Sequence, residues 1–302
     1  MLKLNKTIVC LGFMLMFSVG NSYSTEISPL VDTDWLSKNL ENNNVLVLGI
    51  RKQAQDFYKG HIPRAVLVKE PKMAVYRDIG GKKLRGYLPD QNYFEEFLKL
   101  LGVNNNSHLI LLSFVHGNKN TKYVTGLYWQ LKVFGFDNVS ILDGGFKKWA
   151  SENRPVEKGS GRDVVKGGVK LISPKIGMVY ETDDILSFQK SKDNMLIDFR
   201  DFASYIGVKK SDDVLDYGHI SGAYAVPEEL FFNEDGTVIS ALNISLSKPI
   251  AIYCNTGNHA TEGWFIFHEV LSKPDIYVYD GSLMEWTNLG HKLVKYKMDN
   301  YG

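Results

Sequence analysis

The feature that most constrains this chain is a set of landmarks that occurs twice in the same order. A Gly-His-Ile segment lies at residues 60–62 and again at residues 218–220. An Asp-Gly segment followed by tryptophan lies at residues 143–149 and again at residues 280–286. A chain of 302 residues is long enough for two domains that each bury a core of their own. The repeat therefore predicts two copies of one folding unit.

Short, continuously apolar runs accompany these landmarks. They are residues 45–48, 109–112 and 139–142 in the first half, and 195–197, 250–253 and 276–279 in the second. Runs of this kind are typical of strands that are buried on both faces of a parallel sheet. Helix-like stretches at residues 123–134 and 261–271 alternate with them. We therefore predict an α/β fold in each half, with a mostly parallel central sheet flanked by helices.

The boundary between the halves follows from composition. Residues 155–168 are rich in Gly, Lys and Glu and have no apolar period. We predict an N-terminal domain at 25–155, a linker at 156–172 and a C-terminal domain at 173–302.

The first half is longer than the second. Its additional residues include 93–101, which read as a helix with Asp90 as the N-cap and Gly102 just beyond the end.

The N-terminus has the pattern of a secretory signal. Two lysines precede an apolar run at residues 8–17, and small residues at Ser22 and Ser24 give the spacing that a signal peptidase reads. The run is shorter than the roughly 20 residues that span a bilayer. We predict a signal peptide at residues 1–24 and a periplasmic or secreted protein with no membrane span after cleavage; an uncleaved anchor is the alternative.

Charge and metal-ligand spacing exclude several function classes. The formal net charge is +1, and removal of the two lysines in residues 1–24 changes it to −1. Such a balance lacks the basic footprint of a nucleic-acid-binding protein, so we predict no nucleic-acid partner. No second thiol accompanies the histidines at ligand spacing, so we predict no metal. We predict no cofactor either.

The cysteine count directs attention to one residue. Cys10 belongs to the predicted signal peptide, which leaves Cys254 as the single cysteine of the mature chain. A lone thiol in an oxidising compartment is a liability unless it is buried or used. The alternative to a reactive thiol is a small buried hydrophobic residue.

The sequence around Cys254 favours a reactive thiol over an inert buried residue. It follows the apolar run 250–253 and precedes the short turn 255–259, after which a helix begins. Ligands bind at such strand ends in α/β sheets, and the turn directs backbone N–H groups and a helix N-terminus towards the sulfur. Gly257 can take the positive φ that this turn needs. This field favours the thiolate, so we predict that Cys254 is a catalytic nucleophile.

On these motifs the chain resembles the tandem-domain rhodaneses, and specifically an exported sulfurtransferase of the thiosulfate or 3-mercaptopyruvate type. The resemblance covers nearly all of residues 28–295 and rests on both pairs of landmarks and on the loop 254–259. In such proteins the C-terminal copy carries the cysteine. Here Ser113 stands where Cys254 aligns, so the resemblance implies that the first domain is an inactive scaffold.

The resemblance also implies a mechanism and a set of binding residues. The Cys254 thiolate attacks the outer sulfur of a donor, and the persulfide passes that sulfur to cyanide or to a thiol, with a protein acceptor as a further option. The implied substrate-binding residues are Arg200, Asn255, Thr256, Gly257, Asn258 and His259. Arg200 binds the donor oxyanion, forms a structural ion pair with Asp198 or with Glu228, or does both.

Departures from the family pattern leave alternatives open. Thiosulfate-type members tend to have Arg after the cysteine and mercaptopyruvate-type members Gly-Ser-Gly, and this loop has neither. His259 either assists the donor or is an exposed polar residue. A sulfur carrier that delivers its persulfide to a dedicated partner is the alternative function. A cysteine phosphatase is excluded, because residue 260 is alanine where phosphate binding needs arginine.

The remaining landmarks read as structural, because the half without a cysteine keeps them. We expect the two Gly-His-Ile histidines, His61 and His219, to act as turn residues. We expect the aspartates and tryptophans of the second pair of landmarks to cap and pack a helix; these residues are Asp143, Trp149, Asp280 and Trp286.

Overall fold

The computed structural model describes residues 27–51, 54–69, 74–113, 121–233, 235–239 and 247–296. The predicted signal peptide at 1–24 lies outside these residues. None of the helices within them has the length and apolar character needed to cross a membrane.

The helices and strands of the first half alternate along the chain. They are β1 (Leu30–Val31), α1 (Thr33–Asn39), β2 (Val45–Arg51), α2 (Ala54–Lys59), β3 (Val66–Lys69), β4 (Val75–Ile79), β5 (Lys82–Tyr87), α3 (Gln91–Leu100), β6 (His108–Ser113), α4 (Thr121–Val133), β7 (Val139–Leu142) and α5 (Gly145–Ser151).

The second half repeats this alternation without a counterpart of the α3 insertion. Its elements are β8 (Val179–Tyr180), α6 (Thr182–Phe188), β9 (Met195–Asp198), α7 (Phe202–Tyr205), β10 (Tyr224–Ala225), β11 (Ile250–Tyr253), α8 (Asn258–Trp264), β12 (Ile276–Tyr279) and α9 (Ser282–Asn288). Short 3-10 helices lie at Ile176–Met178 and Glu228–Phe231, and a π-helical turn at Phe265–Val270 continues α8.

Each half contains a five-stranded sheet, and the two sheets have the same strand order. The first runs β1-β7-β6-β2-β3 and the second, read in the same direction, β8-β12-β11-β9-β10. All neighbouring strands in both sheets are parallel. The apolar runs predicted at 139–142, 250–253 and 276–279 coincide with β7, β11 and β12. The duplicated α/β fold is therefore confirmed.

The central strands are buried on both faces, which explains their continuous hydrophobicity. In β11, Ile250 and Ile252 point into one apolar cluster, whereas Ala251 and Tyr253 point into another. The cluster around Ile250 and Ile252 includes side chains from both halves. Tyr128 of α4 and Phe265 meet edge to face in it, with ring centroids 4.9 Å apart. The two halves thus share one core, with α4 packed against α8.

The inserted helix and the interdomain segment pack onto the first half. The Asp90 carboxylate accepts the Tyr93 N–H at 2.9 Å, and Gly102 has a φ of +83°, so both predicted ends of this helix are confirmed. In the segment predicted as a linker, Val169 is buried and its N–H donates to the Val103 carbonyl at 3.1 Å. The domain boundaries themselves stay a prediction.

The expectation that Asp143 and Asp280 cap helices is wrong. The N-cap residues of α5 and α9 are glycines with no side-chain cap. Instead, Asp280 accepts the N–H of Leu88 at 2.9 Å, and Asp143 accepts the N–H of Val238 at 3.0 Å. Each carboxylate thus binds the backbone of the opposite half. An unpaired N–H would be costly to bury, so these reciprocal bonds join the halves.

The other landmark residues hold local structure as expected. Trp149 and Trp286 each donate their indole N–H to a backbone carbonyl six residues further along the chain. His61 and His219 are buried, and Nδ1 of each lies within 3.0 Å of a backbone carbonyl in the preceding helix.

Asp280 makes folding stability depend on pH. Burial raises the pKa of Asp280 from 3.8 to about 6, so the folded state holds its proton at a pH where the unfolded chain has released it. Its contribution to the free energy of unfolding is therefore largest below about pH 4 and falls as the pH rises through 6. We predict that Asp280→Asn removes this slope. Relative to wild type, the variant should gain up to about 3 kcal/mol between pH 4 and pH 7.

Urea unfolding of both proteins across this range is the measurement. Asp212→Asn, at an exposed position, is the control and should follow wild type. An Asp280→Asn curve parallel to that of wild type would refute the prediction.

Candidate active site

Cys254 lies directly after β11, where the sheet ends and the turn towards α8 begins. Its N–H donates to Ser282 Oγ at 3.1 Å, and its carbonyl accepts the Leu283 N–H at 3.2 Å. Both partners belong to the start of α9, which follows the neighbouring strand β12. The predicted position at a strand end is confirmed, and two adjacent strand ends hold the residue.

Gly257 allows the turn to close against the next strand. Its φ is +84°, and an added Cβ would lie 2.5 Å from the Asp280 carbonyl oxygen. A side chain at this position would meet both a strained backbone and a clash. The first half also reaches the turn: a Cβ added at Gly86 would lie 3.4 Å from the Thr256 carbonyl oxygen.

The main-chain N–H groups of the turn are not used in hydrogen bonds to the described residues. In the described part of the chain, no acceptor takes a hydrogen bond from the N–H of residues 255–259. The first N–H of the following helix that is bonded is that of Thr261, which donates to the Gly257 carbonyl at 3.2 Å. The turn that follows Cys254 therefore holds successive N–H groups that are not bonded to the described residues. Such groups stabilise an anion without any rearrangement.

The sulfur itself is enclosed. Cys254 has no exposed surface, and it belongs to the apolar cluster that contains Phe199 and Phe231. A molecule from solvent could reach the thiol only after the residues around it move.

Arg200 lies beside the turn in a structural ion pair. It is 3 % exposed, and its Nε and Nη2 donate to the Asp198 carboxylate at 2.9 and 2.6 Å. Nη2 also donates to the Gly218 carbonyl, and Nη1 lies 3.5 Å from Asn255 Oδ1. The pairing with Asp198 is present, whereas Glu228 pairs elsewhere. Since Asp198 neutralises the guanidinium, Arg200 positions the turn through Asn255; binding of the donor oxyanion stays a prediction.

His259 is held between two carboxylates. Its Nδ1 contacts Glu228, and it also contacts Glu262 at 2.7 Å. Burial alone would lower the pKa of His259, but Glu262 and Glu228, together with the nearby Cys254, raise it to about 10. The Glu262 side chain is fully buried, and burial raises its pKa to about 7. His259 is therefore not an exposed polar residue, and the two carboxylates fix its ring.

Lys122 approaches His259 from the first half. Its Nζ lies 3.1 Å from His259 Nε2, across the interface of α4 and α8. One turn further along α4, Thr125 Oγ1 lies 3.1 Å from Thr261 Oγ1. Sequence reasoning missed Lys122, because no local pattern relates a lysine of one half to the loop of the other.

Glu262 had a local signal that the sequence analysis did not use. It lies three residues after His259 on the predicted helix, where side chains share a face. Glu228 was named only as a partner of Arg200.

The same three residues have the spacing of a cation site. The ligand atoms of Glu228, His259 and Glu262 lie within 4.8 Å of one another. Both carboxylates contact the same nitrogen of His259, Nδ1. The absence of a metal stays a prediction.

Comparison with known proteins establishes the family. The sequence profile described as "Rhodanese-like domain" matches residues 32–152 and 181–289, so that both halves are matched. The chain belongs to the rhodanese family. Both matched ranges lie within the predicted domains, and the second contains the Cys254 turn.

Relatives of similar length are named either as a sulfur carrier protein or as a thiosulfate sulfurtransferase. The sulfur carrier protein TtuD of Thermus thermophilus is 28 % identical over 278 residues, which is 86 % of this chain and 94 % of that protein. The thiosulfate sulfurtransferase of Rattus norvegicus is 28 % identical over 279 residues, covering 85 % and 91 % of the two chains.

Solved structures show the same fold. The anaerobic ergothioneine biosynthesis enzyme of Chlorobium limicola superposes with a TM-score of 0.75 at 19 % identity, over 89 % of this chain and 70 % of that one. YnjE superposes with a TM-score of 0.77 at 20 % identity, over 89 % and 68 %.

The charge on His259 is predicted to depend on Glu262. In Glu262→Gln one of the two carboxylates at Nδ1 is lost, so the pKa of His259 should fall by about one to two units. Titration of the imidazole signals by NMR is the measurement. Glu269→Gln, which alters the partner of His268 on the same helix, is the matched control. An unchanged pKa of His259 in Glu262→Gln would show that Glu262 does not hold the charge.

Proposed function

We propose that this protein is a sulfurtransferase in which Cys254 carries a sulfur atom from thiosulfate or 3-mercaptopyruvate to cyanide or a thiol. The observation that carries the proposal is the row of backbone N–H groups at residues 255–259, directly after Cys254, that have no acceptor among the described residues. Membership of the rhodanese family and relatives named thiosulfate sulfurtransferase support it.

The proposed reaction has two steps. The Cys254 thiolate attacks the outer sulfur of thiosulfate, a new S–S bond forms, and the old S–S bond breaks with its electron pair leaving as sulfite. The acceptor then attacks the terminal sulfur of the persulfide, and the Cys254 thiolate leaves. Negative charge remains at the end of β11 throughout, where the N–H groups stabilise it.

A sulfur carrier is the second candidate function. The complete burial of Cys254 would protect a persulfide from water and from small thiols until a partner opens the site. The relative named as a sulfur carrier protein, at 28 % identity, favours the same idea. In this case a dedicated protein acceptor replaces the small acceptor.

Export is a further part of the proposal. It is supported by the sequence of residues 1–24 alone, which has the pattern of a cleaved signal peptide. The protein would then meet its small-molecule donor and acceptor in the periplasm or outside the cell.

The proposed reaction predicts a persulfide on Cys254. After exposure to thiosulfate or 3-mercaptopyruvate, intact-mass analysis should show a protein heavier by one sulfur atom, with the extra mass on the peptide that contains Cys254. Cys254→Ser should gain no sulfur, because a hydroxyl does not form a persulfide. Ser113→Ala is the control at the aligned position of the first half, and it should load normally. Failure of the wild-type protein to gain sulfur from both donors would overturn the proposal.

Turnover distinguishes the two candidates. Steady-state assays with thiosulfate and cyanide should give rapid production of thiocyanate that is lost in Cys254→Ser if the protein is a sulfurtransferase. Slow or absent turnover, together with a stable persulfide, would instead show a carrier.

A further inference from the structure

The hairpin of β4 and β5 reaches from the first half to the turn that follows Cys254. The two strands pair with each other and with no third strand among the described residues. Gly86 of β5 has a φ of +98°, and a Cβ added there would lie 3.4 Å from the Thr256 carbonyl oxygen. β5 also packs against α9, whose first residues bind the backbone of Cys254. The hairpin therefore lies against two of the elements that hold Cys254.

The base of the hairpin is attached to the second half by buried bonds. Tyr87, the last residue of β5, is buried and donates its hydroxyl to Glu285 Oε2 at 2.8 Å. The next residue, Leu88, donates its N–H to Asp280 at 2.9 Å. Breaking either bond would leave a desolvated polar group without a partner, which is costly. This end of the hairpin is therefore fixed.

The outer part of the hairpin is attached only by exposed contacts. Arg85 Nη2 donates to both carboxylate oxygens of Asp213, at 2.9 and 3.1 Å, and the Arg85 side chain is 58 % exposed. Two further contacts with the second half are also exposed: Lys82 with Asn288 and Arg77 with Glu181. Exposed ion pairs contribute little stability and are weakened by salt. The tip can therefore leave the second half while the base stays attached.

Access to Cys254 requires such a movement, because the residue has no exposed surface. β11 and α9 belong to the packed core of the second half, and Phe231 is buried in the same apolar cluster as Cys254. Displacing any of these would expose apolar side chains. Displacing the tip of the hairpin breaks only exposed polar contacts and leaves both five-stranded sheets intact. It is the least costly movement of an element that contacts the turn.

We propose that the β4–β5 hairpin is a flap of the first half that controls access to the Cys254 thiol. The flap is closed when Arg85 pairs with Asp213. When this pair separates, the hairpin swings about Tyr87 and Leu88 and uncovers the turn. The proposal concerns access alone, so it does not depend on the reaction that the thiol performs.

Alkylation of Cys254 by iodoacetamide tests the flap. The reagent is uncharged, so charge substitutions do not affect its approach, and mass spectrometry of the peptide that contains Cys254 gives the rate. Arg85→Glu places a carboxylate opposite Asp213 and should raise the rate about fivefold or more, because attraction becomes repulsion. Arg85→Glu with Asp213→Arg restores an ion pair and should return the rate to within about twofold of wild type. Lys59→Glu, which disrupts the exposed pair with Asp56 on α2, is the control and should follow wild type.

The response to salt is a second readout. Potassium chloride screens the attraction between Arg85 and Asp213, so it should speed alkylation of the wild-type protein. In Arg85→Glu it screens a repulsion and should slow alkylation. A general loosening of the fold would not reverse the salt response in this way.

The outcomes distinguish the flap from the proposed function. Faster alkylation in Arg85→Glu, its reversal by the charge swap and opposite salt responses support the flap. A rate in Arg85→Glu within about twofold of wild type, an increase that the swap does not reverse, or the same salt response in both proteins overturns it. If the flap is supported but wild type never gains sulfur from a donor, the proposed function fails and the flap stands.

Discussion

The approach of the β11 turn to the end of β12 determines where the sulfur lies. Gly257 is close enough to the Asp280 carbonyl that no side chain fits, and Ser282, two residues further on, binds the N–H of Cys254. The Asp280 carboxylate meanwhile binds Leu88 of the first half. One short stretch after β12 therefore positions Cys254 and attaches the opposite half, so neither can shift without the other.

The electrostatics of the site come from paired side chains and main-chain dipoles. Arg200 and Asp198 neutralise each other, and His259 contacts two carboxylates, of which Glu262 is fully buried. Lys122 reaches His259 from the other half.

Local patterns in the sequence were sufficient for the fold and for the position of Cys254 at a strand end. Continuous hydrophobicity predicted β7, β11 and β12 to the residue, because strands buried on both faces have no polar positions. The predicted helix begins at residue 261, whereas α8 begins at Asn258, because its first residues read in the sequence as part of the turn after Cys254. Asp280 was misread as a helix cap, because a buried carboxylate that binds a distant N–H has the same local sequence as a cap. Lys122 could not be predicted, since its role depends on how α4 meets α8.

The reciprocal bonds from Asp143 and Asp280 make the two halves depend on each other. Each half completes the other through an equivalent bond, although a cysteine lies at only one of the two equivalent strand ends. The second half is thus no independent module: cut from its twin, it would leave Asp280 without a partner and uncover the face on which α4 lies.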